Sequence, residues 1–408
     1  MINLCTPIYT IIIMQNKIAE SLNFNDLETA FRGKSNSDLR EMYLLFKVMN
    51  NPTLVSIGKK LTSFAFAIHF PVEWFIKRTI YKHFCAGVSI QDSSKLIDSL
   101  YEKGVGTILD YAVEGEESEE MFDETCKELL NVIRYSNNNK KTPFSAFKLT
   151  GIGSFDLMVK VSNNEILTDS ENKSYHRLLK RVDDICSLSH ELQVPVLIDA
   201  EHSWIQPMID AVTLDMMRIY NKERAIVQNT YQMYRHDRLD VIKEHHEVAK
   251  AEGFYLGLKI VRGAYMEVER ERAQEMGYPS PIQPNKKATD KDFDEIIHYF
   301  IDNIDTISFM VATHNERSCM LLAKLIDEHG LPHNHPHIYF SQLYGMSDHI
   351  TNNLAKYEYN VVKYVPYGEV KTMMPYLIRR AEENSSVSGQ SSRELLMIKH
   401  ELKRRKIK

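Results

Sequence analysis

The sequence predicts an α/β fold, an eight-stranded parallel β/α barrel of the TIM type that follows an N-terminal helical arm. Eight segments rich in β-branched and aromatic residues recur between Gly106 and Gly368. Stretches long and polar enough for helices separate them, so strands and helices alternate. Nearly every strand segment ends in a polar or charged residue, as expected where the loops after the strands build an active site. The segments read GTILDYA, FSAFKLTG, VPVLIDAE, AIVQNTY, LGLKIVRGAY, ISFMVATHN, HIYFSQLYG and NVVKYVPYG.

The composition is that of a globular protein and argues against nucleic-acid binding. The chain has 408 residues, which is enough for one barrel and a sizeable extension. Its 43% apolar and 26% charged residues are ordinary values. Affinity for phosphate backbones depends on clustered Lys and Arg, whereas the formal net charge is −5. We therefore predict no nucleic-acid partner.

The cysteines and the apolar stretches predict a cytoplasmic protein. The cysteines lie far apart and form no CxxC pair, which indicates reduced thiols, no disulfide framework and no metal site. The start MINLCTPIYTIII lacks the features of a secretory signal or a mitochondrial presequence. The stretch LTSFAFAIHFPVEWFI is interrupted before it reaches the ~20 apolar residues of a membrane span. The cysteines are Cys5, Cys85, Cys126, Cys186 and Cys319.

Three regions are predicted in order. Residues 1–104 form the helical arm, in which SDLREMYLLFKVM has helical periodicity and Asp92 caps the helix SSKLIDSLYEKG. Residues 105–390 form the barrel, where Gly253 is expected to end the helix HDRLDVIKEHHEVAKAEG. Residues 391–408 form a basic tail that is expected to be a solvated helix. Attraction of this tail to an anionic membrane surface is the alternative.

Polar residues at the strand ends are the candidates for chemistry. Each alone could be structural, since a residue such as Thr313 often caps the next helix. A metal site of Asp199, Glu201 and His202 is disfavoured because adjacent strand-end positions rarely converge on one ion. Together on one rim, the set favours a functional site. The strand-end candidates are Lys148, Asp199, Glu201, Gln228, Lys259, Arg262, Tyr265, Thr313, His314, Asn315, Gln342, Tyr344, Lys363, Tyr364 and Tyr367.

The segment after the eighth strand, GEVKTMMPYLIRRAEEN, predicts a helix with Pro375 in its first turn. Glu383 lies four residues after Arg379 and three after Arg380, so one carboxylate can brace both guanidinium groups. Two braced arginines at a barrel mouth form a fork suited to a carboxylate or a phosphate. An exposed helix with ion pairs of little energetic value is the alternative interpretation.

Six motifs carry a resemblance to a known family. DAEHSW, IVRGAY, THNERS, QLYGMSD, KYVPYG and YLIRRAEEN, in this order and with these gaps, resemble the flavin-dependent proline dehydrogenases. The resemblance extends from about residue 148 to residue 384. It implies a distorted eight-stranded barrel that holds FAD and oxidises L-proline to 1-pyrroline-5-carboxylate, the first step of proline catabolism.

The resemblance also implies partners. Because the chain ends soon after the barrel, we expect a monofunctional enzyme whose product passes to a separate 1-pyrroline-5-carboxylate dehydrogenase. The electron acceptor implied by the family is a membrane quinone. We therefore expect a cytoplasmic protein that contacts the inner face of the membrane transiently and peripherally, through the basic tail or through the apolar arm around residues 64–75.

The resemblance assigns roles residue by residue. Many bacterial members have Arg at the position of Lys259 and Lys at that of Arg262, so the two positions exchange residue types here. The aromatic ring of Tyr364 implies a preference for proline over hydroxyproline. The implied catalytic residues are Lys148, Asp199, Tyr364, Arg379, Arg380 and Glu383. The implied substrate-binding residues are Lys148, Tyr265, Leu343, Tyr364, Arg379 and Arg380. The implied FAD-binding residues are Asp199, Gln228, Lys259, Val261, Arg262, Gly263, Ala264, Thr313, His314 and Glu383.

Two other functions stay open. A lyase or aldolase barrel could form a Schiff base on Lys148, which would need a depressed lysine pKa in an apolar pocket. A non-catalytic barrel could bind a ligand without turnover and act as a sensor or scaffold. Borohydride trapping would identify the first, and a colourless purified protein would favour the second.

Overall fold

The computed structural model describes residues 21–68, 70–111, 117–386 and 390–407. Its eight strands pair in sequence order, and β8 closes the ring by pairing in parallel with β1. The predicted eight-stranded parallel barrel is therefore confirmed. The strands are β1 (Gly106–Tyr111), β2 (Phe144–Phe147), β3 (Val196–Ile198), β4 (Val227–Gln232), β5 (Leu256–Val261), β6 (Ile307–Ala312), β7 (Ile338–Leu343) and β8 (Val361–Tyr367).

Between residue 21 and the barrel, the structure describes five helices, as the helical periodicity of the arm predicts. Four of them are α1 (Leu27–Ala30), α2 (Asn36–Met49), α3 (Pro52–Ala67) and α5 (Ile90–Tyr101). Helix α4 is continuous through Glu73–Ile76, the π-helical turn Lys77–Tyr81 and Lys82–Phe84.

Helices also follow the strands and cover the barrel. A short 3₁₀ turn, Leu149–Gly151, follows β2. The remaining helices are α6 (Glu119–Ser136), α7 (Phe155–Ser162), α8 (Asp169–Glu191), α9 (Gln206–Tyr220), α10 (Arg238–Glu252), α11 (Met266–Met276), α12 (Lys286–Asp302), α13 (Glu316–Glu328), α14 (Asp348–Lys356), α15 (Met374–Ser386) and α16 (Gln390–Arg404).

Apolar side chains fill both the inside and the outside of the barrel wall. The larger core packs the outer faces of the strands against the surrounding helices. A smaller apolar cluster fills the inside of the barrel, so the interior is a packed core and not a pore. The interior cluster contains Ile108, Phe144, Ala146, Leu197, Met310, Val362 and Tyr364.

Of two predicted helix boundaries, the C-terminal end of α10 is confirmed and the N-terminal cap of α5 is wrong. Gly253 ends α10 with φ of 68°, a left-handed conformation that glycine adopts without steric cost, as predicted. The prediction that Asp92 caps α5 is wrong. The cap is Ser89, whose side chain accepts a hydrogen bond from the backbone N–H of Asp92. Asp92 is the third residue of the helix, where a carboxylate still favours the positive helix terminus.

The C-terminal basic segment is helical, as predicted, but it is not solvated on all sides. It forms most of α16, in which Ile398 and Glu401 are fully buried while Lys399 is exposed. Met397 and Ile398 pack into one cluster with Phe31 and Phe46 of the arm. The two ends of the described chain therefore share a small core.

Four of the five cysteines lie among the described residues. Cys85, Cys126, Cys186 and Cys319 are buried free thiols, and Cys5 lies outside the described residues. Within the same ranges, no group of His, Cys, Asp and Glu side chains has the geometry to hold a metal ion. Along the described helices, none combines the length and apolar character needed to cross a bilayer.

Candidate active site

Most of the predicted residues lie at the carboxyl-terminal ends of the strands. Lys148 directly follows β2, Asp199 directly follows β3, and Val261 is the last residue of β5. Leu343 ends β7 and joins Tyr364 of β8 in the interior cluster. In a parallel barrel these ends meet at one mouth, so the strands bring together side chains that are far apart in the sequence.

Three residues from three strands form a connected unit inside this mouth. The Nζ of Lys259 lies 2.5 Å from Oδ1 of Asp199, and both side chains are largely buried. The hydroxyl of Tyr364 donates to Oδ2 of the same carboxylate at 2.7 Å. The Lys259 ammonium also lies 4.8 Å from the centre of the Tyr364 ring. Asp199 therefore holds the ammonium and the phenol in fixed positions.

On another part of the mouth, cationic groups surround His202. Burial, Lys148, Arg272 and Arg379 together lower the pKa of His202 to about 4. The His202 ring packs 4.4 Å from the ring of Tyr265. Burial raises the pKa of Tyr265 most, Glu201 and Asp199 also raise it, and Lys148 and Arg379 lower it. Lys148 and Arg379 therefore act on both His202 and Tyr265, and these cations are suited to a carboxylate ligand.

Helix α15 carries the arginine pair. NH2 of Arg380 donates to Oε1 of Glu383 at 2.6 Å, as the three-residue spacing predicts. Burial raises the pKa of Glu383, while Arg380 and Arg379 lower it. Arg380 is only 8% exposed, so the alternative of a purely exposed ion-pair helix is wrong. Pro375 is the second residue of α15, in the first turn as predicted.

Arg262 and Thr313 join the outer side of the barrel wall to the surrounding helices. Arg262 donates to Asp290 at 2.8 Å, to Thr313 at 2.7 Å and to Ser318 at 3.0 Å. The hydroxyl of Thr313 also accepts from the backbone N–H of Asn315, which is the residue that caps α13. These bonds give both side chains a structural role, and FAD contact by either one stays a prediction.

His314 is held at the rim in its neutral form. Its Nδ1 lies 2.9 Å from the Ser347 hydroxyl. Burial, with Lys363, Arg380 and His349 nearby, lowers its pKa to about 3. The backbone N–H of Ser347 in turn donates to Glu394 of α16 at 2.5 Å. The C-terminal helix therefore supports a residue of the rim.

The prediction that Gln228 ends the fourth strand is wrong. Gln228 is the second residue of β4, pairs with Leu197 of the interior cluster and is 2% exposed. The strand ends at Gln232, whose amide donates to the Glu201 carbonyl at 2.7 Å and accepts from Ala264 N–H at 3.3 Å. Gln232 was not among the predicted residues, although it is the last polar residue before Met233 and Tyr234. The β-rich run simply extends farther than predicted.

Gly263 and Ala264 expose the backbone of the loop after β5. Both are exposed, and Gly263 has φ of 138°, which side-chain-bearing residues rarely adopt. A Cβ atom at Gly263 would lie 2.5 Å from the Tyr234 ring. The loop can therefore take this path only with glycine at this position, and a ligand could approach its backbone closely.

The polar atoms of the mouth are compatible with a polar, aromatic ligand. Among the described residues, Oγ1 of Thr230 and Nδ1 of His202 are buried and lack a hydrogen-bond partner. Buried polar atoms normally have partners, so these two need a water molecule or a ligand. Together with the exposed loop backbone at Gly263 and Ala264, these atoms fit a flavin with its many polar edges.

Comparisons with known proteins agree on one family. Residues 93–393 match the family model described as proline dehydrogenase. The chain is 33% identical to mitochondrial proline dehydrogenase 1 of Dictyostelium discoideum, over 93% of this chain and 75% of that protein. It is 28% identical to hydroxyproline dehydrogenase of Xenopus laevis, over 98% of this chain and 93% of that protein.

Solved structures show the same fold. Proline utilization A from Bdellovibrio bacteriovorus superposes with a TM-score of 0.71 at 19% identity. The match covers 95% of this chain and 43% of that one, so the chain spans less than half of the solved protein.

Proposed function

The chain belongs to the proline dehydrogenase family of oxidoreductases, and on this premise we propose that it oxidises L-proline to 1-pyrroline-5-carboxylate with FAD as cofactor. The observation that carries the proposal is the cationic region around His202 and Tyr265, at the same mouth as the unit of Lys259, Asp199 and Tyr364. The cations around His202 and Tyr265 can bind the carboxylate of an amino-acid substrate. The unit of Lys259, Asp199 and Tyr364 can position a redox cofactor.

The substrate carboxylate binds to cations from two elements. Lys148 comes from the loop after β2, and Arg379 and Arg380 come from α15. Glu383 accepts from Arg380, which restricts the rotation of its guanidinium group and presents its remaining N–H groups in a fixed orientation. Tyr265 and Leu343 form the apolar sides of the pocket. A carboxylate held by such a fork fixes the position of the proline ring, and this positioning is the main contribution of the protein to the rate.

A bound FAD would supply the two-electron oxidising chemistry that removes a hydride from the proline ring carbon beside the nitrogen. Lys259, fixed by Asp199, supplies positive charge in a largely buried position. Gln232 bridges the ends of β3 and β5 and replaces Gln228 as the proposed cofactor contact on β4. Val261, Gly263, Ala264 and His314 complete the proposed cofactor-binding rim.

The electron acceptor and the location are proposed from the family resemblance. We propose a membrane quinone as acceptor and a separate 1-pyrroline-5-carboxylate dehydrogenase as the next enzyme. The cytoplasmic location expected from the sequence stays a prediction. The Dictyostelium relative is named as mitochondrial, which favours testing both compartments.

An anaerobic visible spectrum tests the proposed reaction. The purified protein, reconstituted with FAD, should show a flavin spectrum that L-proline bleaches. A flavin spectrum that L-proline leaves unchanged would contradict proline oxidation. If the protein does not bind FAD, borohydride trapping with carbonyl substrates would test the Schiff-base function of Lys148 instead.

The substitution Arg379→Met tests the carboxylate clamp. Because a charge-assisted hydrogen bond contributes about 2 to 3 kcal/mol, KM for L-proline should rise about 30-fold or more. FAD content should stay that of the parent protein. Arg218→Met is the matched control, since Arg218 pairs with Glu252 on the barrel exterior. An unchanged KM in Arg379→Met would contradict the clamp assignment.

A further inference from the structure

The outer side of the helical arm exposes large apolar residues to an unusual extent. Of the eighteen large apolar side chains that are exposed in the described residues, ten lie between Leu44 and Phe75. We define the arm face as the eight of these that belong to α3, α4 and their connection. They are 45% to 66% exposed, and they are Leu54, Ile57, Leu61, Phe64, Ile68, Phe70, Trp74 and Phe75.

Soluble domains rarely expose a contiguous apolar patch of this kind unless it contacts something. Ile57, Leu61, Phe64 and Ile68 follow one another at helical spacing and so form one stripe along α3. Trp74 and Phe75 continue the apolar surface at the start of α4. The arm face is therefore a binding surface whose occupant must itself be apolar.

Charge identifies the occupant. Residues 52–82 contain five cations and one carboxylate, a net charge of +4 in a chain whose net charge is −5. Two of the cations, Lys59 and Lys82, pair with Glu382 and Glu41, so the charge offered to a ligand is that of Lys60, Lys77 and Arg78. Lys60 lies one turn from both Ile57 and Phe64, and Lys77 and Arg78 follow Trp74 and Phe75 directly. The Arg78 guanidinium lies 4.8 Å from the centre of the Trp74 ring. Helices that carry Trp, Phe and Leu beside Lys and Arg are typical of anionic bilayer surfaces, whereas the cores of protein interfaces are depleted in Lys.

A cavity lies directly behind the arm face. Its volume is about 900 Å³, and its lining is mostly apolar. Leu54, Leu61, Phe70 and Phe75 belong both to this lining and to the arm face. Leu377 and Ile378 of α15 also line this cavity. A hydrocarbon chain could therefore enter between the arm helices without leaving an apolar environment.

We propose that the arm face docks the protein onto a lipid bilayer that contains anionic lipid. In this orientation the apolar side chains insert to the depth of the acyl boundary, while Lys60, Lys77 and Arg78 contact the head groups. The proposal places the anchor on the arm rather than on the basic C-terminal segment, in which Met397 and Ile398 are packed against the arm and the guanidinium groups of Arg404 and Arg405 are bonded to Glu401. The inference deepens the proposed function, on which its biological use rests, by naming the surface that brings the enzyme to a membrane-dissolved acceptor.

Cosedimentation of the full chain with vesicles tests the charge component. The protein should sediment with vesicles of phosphatidylcholine and phosphatidylglycerol, and much less with phosphatidylcholine alone. Lys60→Glu combined with Lys77→Glu should weaken this partitioning about tenfold or more, since each cation near an anionic surface contributes severalfold. Lys399→Glu combined with Lys403→Glu, on α16, is the matched control and should leave partitioning unchanged.

Insertion of the arm face has its own readout. Acyl chains brominated near the head group should quench the fluorescence of Trp74, and Trp74→Phe should remove that quenching. Phe64→Ser combined with Phe75→Ser should abolish partitioning, whereas Ile166→Ser, at a side chain 99% exposed elsewhere, should not. Partitioning that survives both double substitutions would overturn the proposal. A dimer that Phe64→Ser with Phe75→Ser dissociates, without vesicle binding by the parent protein, would instead assign the face to a second copy.

A negative result for membrane docking can be distinguished from a negative result for proline oxidation. Proline oxidation with a soluble dye as acceptor does not need the membrane and should be unaffected by the arm-face substitutions. If dye-linked oxidation is absent while vesicle binding persists, the proposed reaction is wrong and the docking surface stands.

Discussion

At the residue scale, the ion pair of Lys259 and Asp199 should be important for stability as well as for the site. Lys259→Met would leave a largely buried carboxylate without its cation, which typically costs about 3 to 5 kcal/mol. The free energy of unfolding, measured in urea, should fall by that amount. Lys250→Met, which removes an exposed pair with Glu247, should change it by less than about 1 kcal/mol. Equal effects of the two substitutions would contradict a stabilising role for the buried pair.

The size of Tyr364 should decide the choice between proline and hydroxyproline. This choice is open because the chain resembles both a relative named proline dehydrogenase and a relative named hydroxyproline dehydrogenase. Tyr364→Ser removes the ring and should lower the ratio of kcat/KM for L-proline over hydroxyproline about tenfold or more. Tyr364→Phe keeps the ring and loses only the hydrogen bond to Asp199, so its ratio should stay near that of the parent. A ratio that changes equally in both variants would assign selectivity to the hydroxyl.

The sequence predicts which residues reach the rim better than it predicts their partners. Lys148, Asp199 and Val261 lie at strand ends because the β-rich runs stop there. The contact of Lys259 with Asp199 joins residues 60 positions apart, so no local pattern reveals it. Gln228 was predicted wrongly because consecutive polar residues, Gln228, Asn229 and Thr230, run through β4, and a polar residue early in the strand resembles a strand end.

At the scale of elements, α16 stabilises the start of α14 through one buried carboxyl group. Glu394 accepts from the backbone N–H of Ser347, which caps α14 with φ of 54°. Burial raises the pKa of Glu394 to about 6 from 4.5. A raised carboxyl pKa means that the folded state binds the proton more tightly. Stability from this group is therefore present below about pH 4.5 and is lost as the pH rises through about 6.

The substitution Glu394→Gln tests this linkage. Glutamine keeps the acceptor and carries no charge, so it removes the cost of ionising the buried group. At pH 7 the variant should be more stable than the parent by about 2 kcal/mol, since one pKa unit corresponds to about 1.4 kcal/mol. At pH 4.5 the difference should nearly vanish. Thermal unfolding across this range measures it, and a pH-independent difference would contradict the shift.

The start of α5 shows why local sequence patterns predict the presence of a helix more reliably than the residue that caps it. Ser89 and Asp92 lie three residues apart, and both types favour helix starts. The apolar periodicity of α5 already includes Ile90, which is buried, so the helix begins one turn before the predicted cap. The exposed apolar stripe of α3 was equally visible in the sequence, but its exposure depends on where the arm packs.

At the scale of the whole molecule, the arm and the C-terminal helix join into one layer beside the barrel. Met397 and Ile398 of α16 share a core with Phe31, Leu39 and Phe46. Lys34 reaches Asp348 at the start of α14 at 3.4 Å, and Arg405 donates to the backbone carbonyl of Phe31. The predicted division into arm, barrel and tail thus separates segments that are in direct contact.

The substitution Ile398→Ala should therefore destabilise the whole domain rather than release a tail. Ile398 is fully buried, and truncating such a side chain to alanine typically costs about 2 to 5 kcal/mol. Leu396→Ala, two residues earlier on the same helix, is the matched control because Leu396 is 48% exposed. If the layer and the barrel unfold together, Ile398→Ala should lower the midpoint temperature of one cooperative unfolding transition. Circular dichroism and the fluorescence of the barrel residue Trp204 should report the same transition. An early separate transition, with the Trp204 signal unchanged, would mean that the arm and α16 form an independent unit.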